Sequence, residues 1–193
     1  MAILQRNKIL IALIALILFF SYLASLILTS FGSVEVKTLR LDTQNNQYLI
    51  YDLYKPKIAS KENKAPFIAI IPGFQRSKEA LSNIAIELSR RGYVVALIDP
   101  YAQGLSSSSL STRAATTEGY GMFSLVEYVH SGAFEYVDID RIGATGHSMG
   151  GNAAIRGADY FGKKAMKNAT TSILNSVYVS GYVLTLRNKI LQD

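Results

Sequence analysis

The chain has 193 residues, 49% hydrophobic and 18% charged, a composition that suits one globular domain of ordinary size and excludes a disordered or fibrous chain. Lys and Arg number 20 against 14 Asp and Glu, a formal charge of +6, but the cations are scattered among acids and form no block, so nucleic acid is not an expected partner. With no Cys, disulfide scaffolds, thiol nucleophiles and Cys-ligated metals are excluded, and two His are too few for a His-rich metal site.

Residues 9–31 carry no charge and are nearly all Ile, Leu, Ala and Phe. At about 1.5 Å per residue a helix of this length covers roughly 35 Å, enough for a bilayer core of about 30 Å with some tilt. The stretch predicts a transmembrane anchor behind a short basic amino terminus, residues 1–8. A cleavable signal peptide would share the basic start at Arg6 and Lys8 and the small residues Ala24 and Ser25. Its apolar part, however, usually runs about 7 to 15 residues and ends at an Ala-x-Ala site, and this one is longer with no clear site. A buried helix of a soluble protein is the remaining alternative, and a stretch hydrophobic on every face for about six turns argues against it. Arg6, Lys8 and the terminal amine favour a cytoplasmic amino end with the rest of the chain outside, a bias that Lys37 and Arg40 blunt.

Shorter segments follow. Residues 34–41 and 48–54 read as strands joined by the polar turn 42–47, a hairpin, and 56–66 is a lysine-rich loop. Residues 67–71 are a continuous apolar run ending at Pro72-Gly73, as in a strand buried on both faces. Leu81, Ile84, Ala85 and Leu88 then fall at helical spacing, with Gly92 as the stop. Residues 93–98 give the next strand, the Ser-rich loop 106–111 follows, and Met122, Leu125, Val126 and Val129 repeat the helical spacing up to Gly132. Residues 141–145 read as a short strand, 150–161 as a helix and 176–186 as one more strand. Strand and helix in alternation imply right-handed crossovers, so the expected class is α/β: a mostly parallel sheet with helices on both faces, in a domain spanning 34–193.

The chemistry concentrates at Gly146-His147-Ser148-Met149-Gly150, a match to Gly-x-Ser-x-Gly. As letters alone the pattern arises by chance roughly once in fifteen chains of this length. Its context is more specific, because a predicted strand leads in and the small-residue run Gly150-Gly151-Asn152-Ala153-Ala154 opens a predicted helix. A serine on so sharp a turn needs Gly146 and Gly150 because side chains two residues either way would strike backbone. The helix start brings positive potential to the serine, and the Met149 N–H can donate to a developing oxyanion.

These residues, with three further segments, resemble the α/β-hydrolase superfamily, and within it the dienelactone-hydrolase and cutinase-like esterase branches, over about residues 39–186. Ile70-Ile71-Pro72-Gly73-Phe74 resembles the oxyanion loop after the third strand, which implies that Phe74 supplies a second backbone N–H. Residues 92–99, continuing through Gly104-Leu105-Ser106, resemble the fourth strand and its Asp-x-x-Gly-x-Gly-x-Ser loop, and 137–143 resemble the lead into the fifth strand. Two positions depart from the pattern: Pro72 stands where many members have His, and Ala102 replaces the first loop glycine.

In that family the nucleophile is followed in the chain by an acid and then a histidine. After Ser148 this sequence has no His, and its acids there are Asp159 and Asp193. His130, near a helix end, and His147, whose side chain diverges from its neighbour's at the turn, are poor bases, and His147 is expected to pack or hydrogen-bond beside the site. Asp99 is expected to tie down its own loop, and Asp159 to face solvent. The resemblance therefore implies a membrane-anchored serine hydrolase, Ser148 attacking a small-molecule or lipid-like acyl ester, or an amide or thioester, whose acid and His lie on strands missing from this chain. Little turnover is expected without them. A non-catalytic, membrane-tethered binding module on the same fold is the alternative, and an acyltransferase a third. No cofactor and no metal is expected. Asn168-Ala169-Thr170 fits a glycosylation acceptor, and Lys163, Lys164 and Lys167 read as a solvated helix end.

Overall fold

A computed structural model describes residues 2–108, 118–168, 176–179 and 182–184. The glycosylation triplet, the Ser-rich loop beyond Ser108 and Asp193 lie outside the described residues or side chains, as do the side chains of Lys164 and Lys167. The chain opens with α1 (Ala2–Leu28), which starts before the uncharged stretch and stops short of its end. Ser30, Phe31 and Gly32 follow with φ of 50°, 55° and 76°, three left-handed residues in a row that turn the chain out of the helix. Arg90 of a later helix donates from Nη2 to the Ile27 carbonyl at 2.9 Å and from Nε to Ser30 Oγ at 3.1 Å, so a cation satisfies the negative end of α1.

β1 (Val34–Asp42) and β2 (Tyr48–Pro56) form the expected hairpin, paired antiparallel from Val34 opposite Pro56 to Asp42 opposite Tyr48. Then come β3 (Ala65–Ile71), α2 (Ser82–Arg90), β4 (Val94–Ile98), α3 (Met122–His130), β5 (Val137–Gly146), α4 (Met149–Asn168), β6 (Ser176–Val179) and β7 (Tyr182–Leu184). Among the described residues they make one sheet of seven strands in the order β1-β2-β4-β3-β5-β6-β7.

The central strands β4, β3, β5 and β6 are parallel, whereas β1, β2 and β7 run antiparallel to their neighbours. The sheet is thus parallel at its centre and mixed at its flanks, where the short connection 43–47 can pair β1 and β2 only antiparallel. The expected single strand over 176–186 is two short strands, β6 and β7.

Alternation along the strands sends successive side chains to opposite faces. Phe67, Ala69, Ile71, Val94, Ala96, Ile98, Ile142 and Ala144 belong to one core with Met122, Leu125 and Val126 of α3 and Ala154, Ala158 and Phe161 of α4. Ile68, Ile70, Val95 and Leu97 belong to a second core with Ala85 and Ile86 of α2. Helices therefore cover both faces. Gly92 and Gly132, at φ 92° and 89°, follow α2 and α3 where the helix stops were expected.

The serines after β4 have a structural task. Ser106 Oγ accepts from the Ile50 N–H at 2.8 Å and Ser107 Oγ from the Tyr48 N–H at 2.9 Å, beyond the stretch where β2 pairs with β4. Hydroxyls thus replace strand partners at that edge.

Candidate active site

β3 and β5 end side by side, with Ile71 opposite Gly146, and the surroundings of Ser148 are built outward from those two ends. The β5 chain turns through His147 and Ser148 into α4. The His147 N–H donates to the Ile71 carbonyl at 3.2 Å, the Gly150 N–H to the His147 carbonyl at 2.9 Å, and the Asn152 N–H to the Ser148 carbonyl at 3.1 Å. These bonds hold Ser148 at φ 53°, a left-handed conformation that residues with side chains adopt only when their surroundings impose it.

The flanking glycines are required by close backbone approach. A Cβ at position 146 would lie 2.5 Å from both the Ile71 carbonyl oxygen and the Gly150 carbonyl carbon, and one at 150 would lie 2.6 Å from the Ile71 carbonyl carbon. Strand end, turn and helix start touch without room for a methyl group. Ser148 and His147 are left exposed at the tip, and Met149 is half-buried. Met149 is the first residue of α4, so its N–H is among those that a helix leaves without an intrahelical acceptor.

The β3 end supplies the facing loop. Pro72 and Gly73 are buried, and Gly73 abuts the turn: a Cβ there would stand 3.0 Å from His147 Nδ1 and 3.4 Å from Ser148 Cβ. Phe74 comes next and is 69% exposed. Phe74, Gly146, His147, Ser148, Met149 and Gly150 thus gather where the parallel strands β3 and β5 end.

Asp99, 1% exposed, ties together the loops that leave β3 and β4. Its carboxylate accepts from the Lys78 N–H at 2.7 Å and the Leu105 N–H at 3.0 Å. Gly104, at φ 55°, faces that carboxylate so closely that a Cβ would overlap it. Ala102, where the family pattern has glycine, adopts φ 62°, so the departure keeps a glycine-like backbone.

Lys78 is itself buried, its ammonium 2.6 Å from Glu79 and 3.5 Å from Asp52 of β2. Burial lowers the lysine's pKa, but the hydrogen bond to Glu79 and the fields of Asp52 and Asp99 outweigh it and hold the ammonium above its ordinary range. The same hydrogen bond, helped by Ser77, pulls the Glu79 carboxyl down to about 2. Sequence reasoning missed Lys78 and Asp52, since nothing local marks that lysine as buried and only the fold brings both aspartates to it.

The other candidates lie elsewhere. α3 leads from β4 toward the start of β5, so His130 at its carboxyl end sits at the opposite end of the sheet from Ser148, its Nε2 buried with no hydrogen-bond partner among the described residues. Asp159 is exposed on α4 and pairs with Lys163 at 2.7 Å. Among the described residues no group of three or more acids and histidines is placed to hold a metal ion.

A parallel-centred sheet with helices on both faces and a Gly-x-Ser-x-Gly turn at the end of β5 defines an α/β hydrolase. The family model described as PET hydrolase-like matches residues 23–176, and the chain belongs to that family. No curated protein matches the chain by sequence. Among solved structures, a bacterial heroin esterase is similar at 18% identity and a TM-score of 0.61, over 83% of this chain and 49% of that one. A hypothetical protein of Pseudomonas aeruginosa is similar at 23% identity and a TM-score of 0.61, over 77% and 43%. A Pyrococcus furiosus esterase is similar at 24% identity and a TM-score of 0.54, over 67% and 48%. The chain therefore spans less than half the length of each of these three structures.

Proposed function

We propose that the protein is a membrane-anchored serine hydrolase of acyl esters, with Ser148 as nucleophile and the Phe74 and Met149 N–H groups as the oxyanion hole. The observation that carries this reading is the left-handed, exposed Ser148 between a parallel strand and a helix start. A hydroxyl so held stands clear of packing, beside the amides of α4 and the loop after β3. The ester class is supported by the family's description and by the two esterases named above. Gly146 and Gly150 support the turn, and His147 lines it.

Attack by Ser148 needs a base, and no His follows it in this sequence. His130 is at the wrong end of the sheet, and with no His after Ser148 these residues alone are expected to turn over slowly. α1 supplies the anchor: Asn7–Ile27 is long and apolar enough to cross a membrane. The basic Arg6 and Lys8 keep its amino end cytoplasmic, and residues 34–193 form the hydrolase domain on the far side.

A fluorophosphonate applied in membranes to a protein that carries a triad acid and histidine together with residues 1–193 tests the reading. Peptide mass mapping is expected to find the adduct on Ser148 and none in Ser148→Ala. Labelling that survives in Ser148→Ala, or a native protein that takes up no label, overturns it.

A further inference from the structure

The loop that carries Phe74 is a tight turn closed by the Arg76 N–H donating to the Gly73 carbonyl at 3.2 Å. Its third residue, Gln75, has φ 55°, a conformation that costs a residue with a side chain and must be held from outside. Phe74, Gln75 and Arg76 are all exposed, so packing does not hold them. A hydrogen bond does: the Gln75 N–H donates to the side-chain Oε1 of Gln103, in the loop after β4.

Gln103 is well placed to act as a fixed arm. Its own N–H donates to the Pro100 carbonyl at 3.0 Å, its carbonyl accepts from the Ser106 N–H at 3.3 Å, and the neighbouring Ala102 N–H donates to the Ser107 carbonyl at 2.9 Å. Asp99 grips the same loop through Leu105 at 3.0 Å. A rigid loop thus reaches across to a strained, exposed one and fixes it at the amide next to that of Phe74. The other end of the side chain makes no such bond: Gln103 Nε2 is buried with no hydrogen-bond partner among the described residues. The arm is needed for its oxygen.

We propose that Gln103 is the positioning residue of the oxyanion loop, setting the direction of the Phe74 N–H by accepting the hydrogen bond of Gln75. The proposal rests on the assignment of Ser148 and Phe74 above. An oxyanion donor acts only when it is aimed before charge develops, so releasing Gln75 lets the neighbouring amide wander and slows chemistry at Ser148 without unfolding the domain.

The test uses the same membrane-bound protein, with the triad acid and histidine present, and the rate at which a fluorophosphonate modifies Ser148. Gln103→Met keeps the volume and removes the acceptor, and Gln103→Glu keeps the acceptor. Gln103→Met is expected to slow labelling at least about tenfold, the loss of one aimed oxyanion donor being worth that or more, with the thermal midpoint unchanged and faster hydrogen exchange at the Gln75 amide. Gln103→Glu is expected to stay close to the native rate. Should Gln103→Met melt early, the rate is read instead in Gln103→Asn, whose shorter arm breaks the same bond. Native labelling rates in well-folded Met or Asn variants, or a Glu variant as slow as Met, overturn the proposal alone. A native protein that takes no label overturns the Ser148 reading and this proposal with it.

Discussion

α1 and the central strands are both runs of uncharged, apolar residues, yet they end in opposite surroundings. Each residue of β4, Val94 to Ile98, is 1% exposed or less, whereas the apolar window of α1 is 0% buried. The difference lies in what each element can reach. A strand offers two faces that α2 on one side and α3 with α4 on the other can cover, but a helix uncharged and mostly apolar on every face from Ile9 to Ile27 has no protein face to match it. Hydrophobicity names the need for burial, and length with periodicity separates a strand that the domain can cover from a helix long enough to cross a membrane.

A charge placed in each region sharpens that contrast most. Ile70→Arg puts an unpaired cation in the core under α2 and is expected to prevent folding, a loss of about 4 kcal/mol or more. Ile14→Arg is expected to leave the domain's unfolding curve in urea unchanged and to release the protein from membranes, since a mid-helix Arg costs about 3 kcal/mol of insertion. A domain destabilised by Ile14→Arg would show that α1 is part of the core.

Backbone contact gives the next effect. Gly150→Ala forces a methyl group against the Ile71 carbonyl, where β3 meets the start of α4. An expected loss of about 3 kcal/mol in the same urea experiment, with membrane attachment intact, confines the damage to the domain.

Acid provides the smallest effect and again divides the two regions. The Lys78 hydrogen bond lowers the folded-state pKa of Glu79 from 4.5 to about 2. Its stabilisation is therefore fully present above about pH 4.5 and is lost as pH falls through about 2. The Glu79 side chain is 64% exposed, and solvent screening limits the effect to about 0.5 kcal/mol. Glu79→Gln should flatten the unfolding free energy over that window by this amount, and an unchanged pH dependence would show that the pair adds nothing.

Much of the fold is legible in the sequence because its signals are local. The hairpin, the apolar runs of β3 and β4, the two helices with i, i+3, i+4 spacing and the glycines that stop them all depend on neighbours within a few positions. The turn at Ser148 is legible for the same reason. The start of β5 is obscured by Asp138 and Asp140, polar residues in a strand that extends back to Val137. The division of 176–186 into β6 and β7 has a faint signal, the Ser180-Gly181 dipeptide between them, which an otherwise β-branched and aromatic run masks. Asp52, Lys78 and Gln103 have no local signal, since their partners lie on other elements and only folding joins them.

The guanidinium of Arg90 closes the last turn of α1, although 63 positions of chain separate it from Ile27. The join between helix and domain is therefore a clasp with little slack, not a loose tether. With α1 in a bilayer, the domain would be denied free tumbling, and the turn at Ser148 would sweep a narrow shell around that helix.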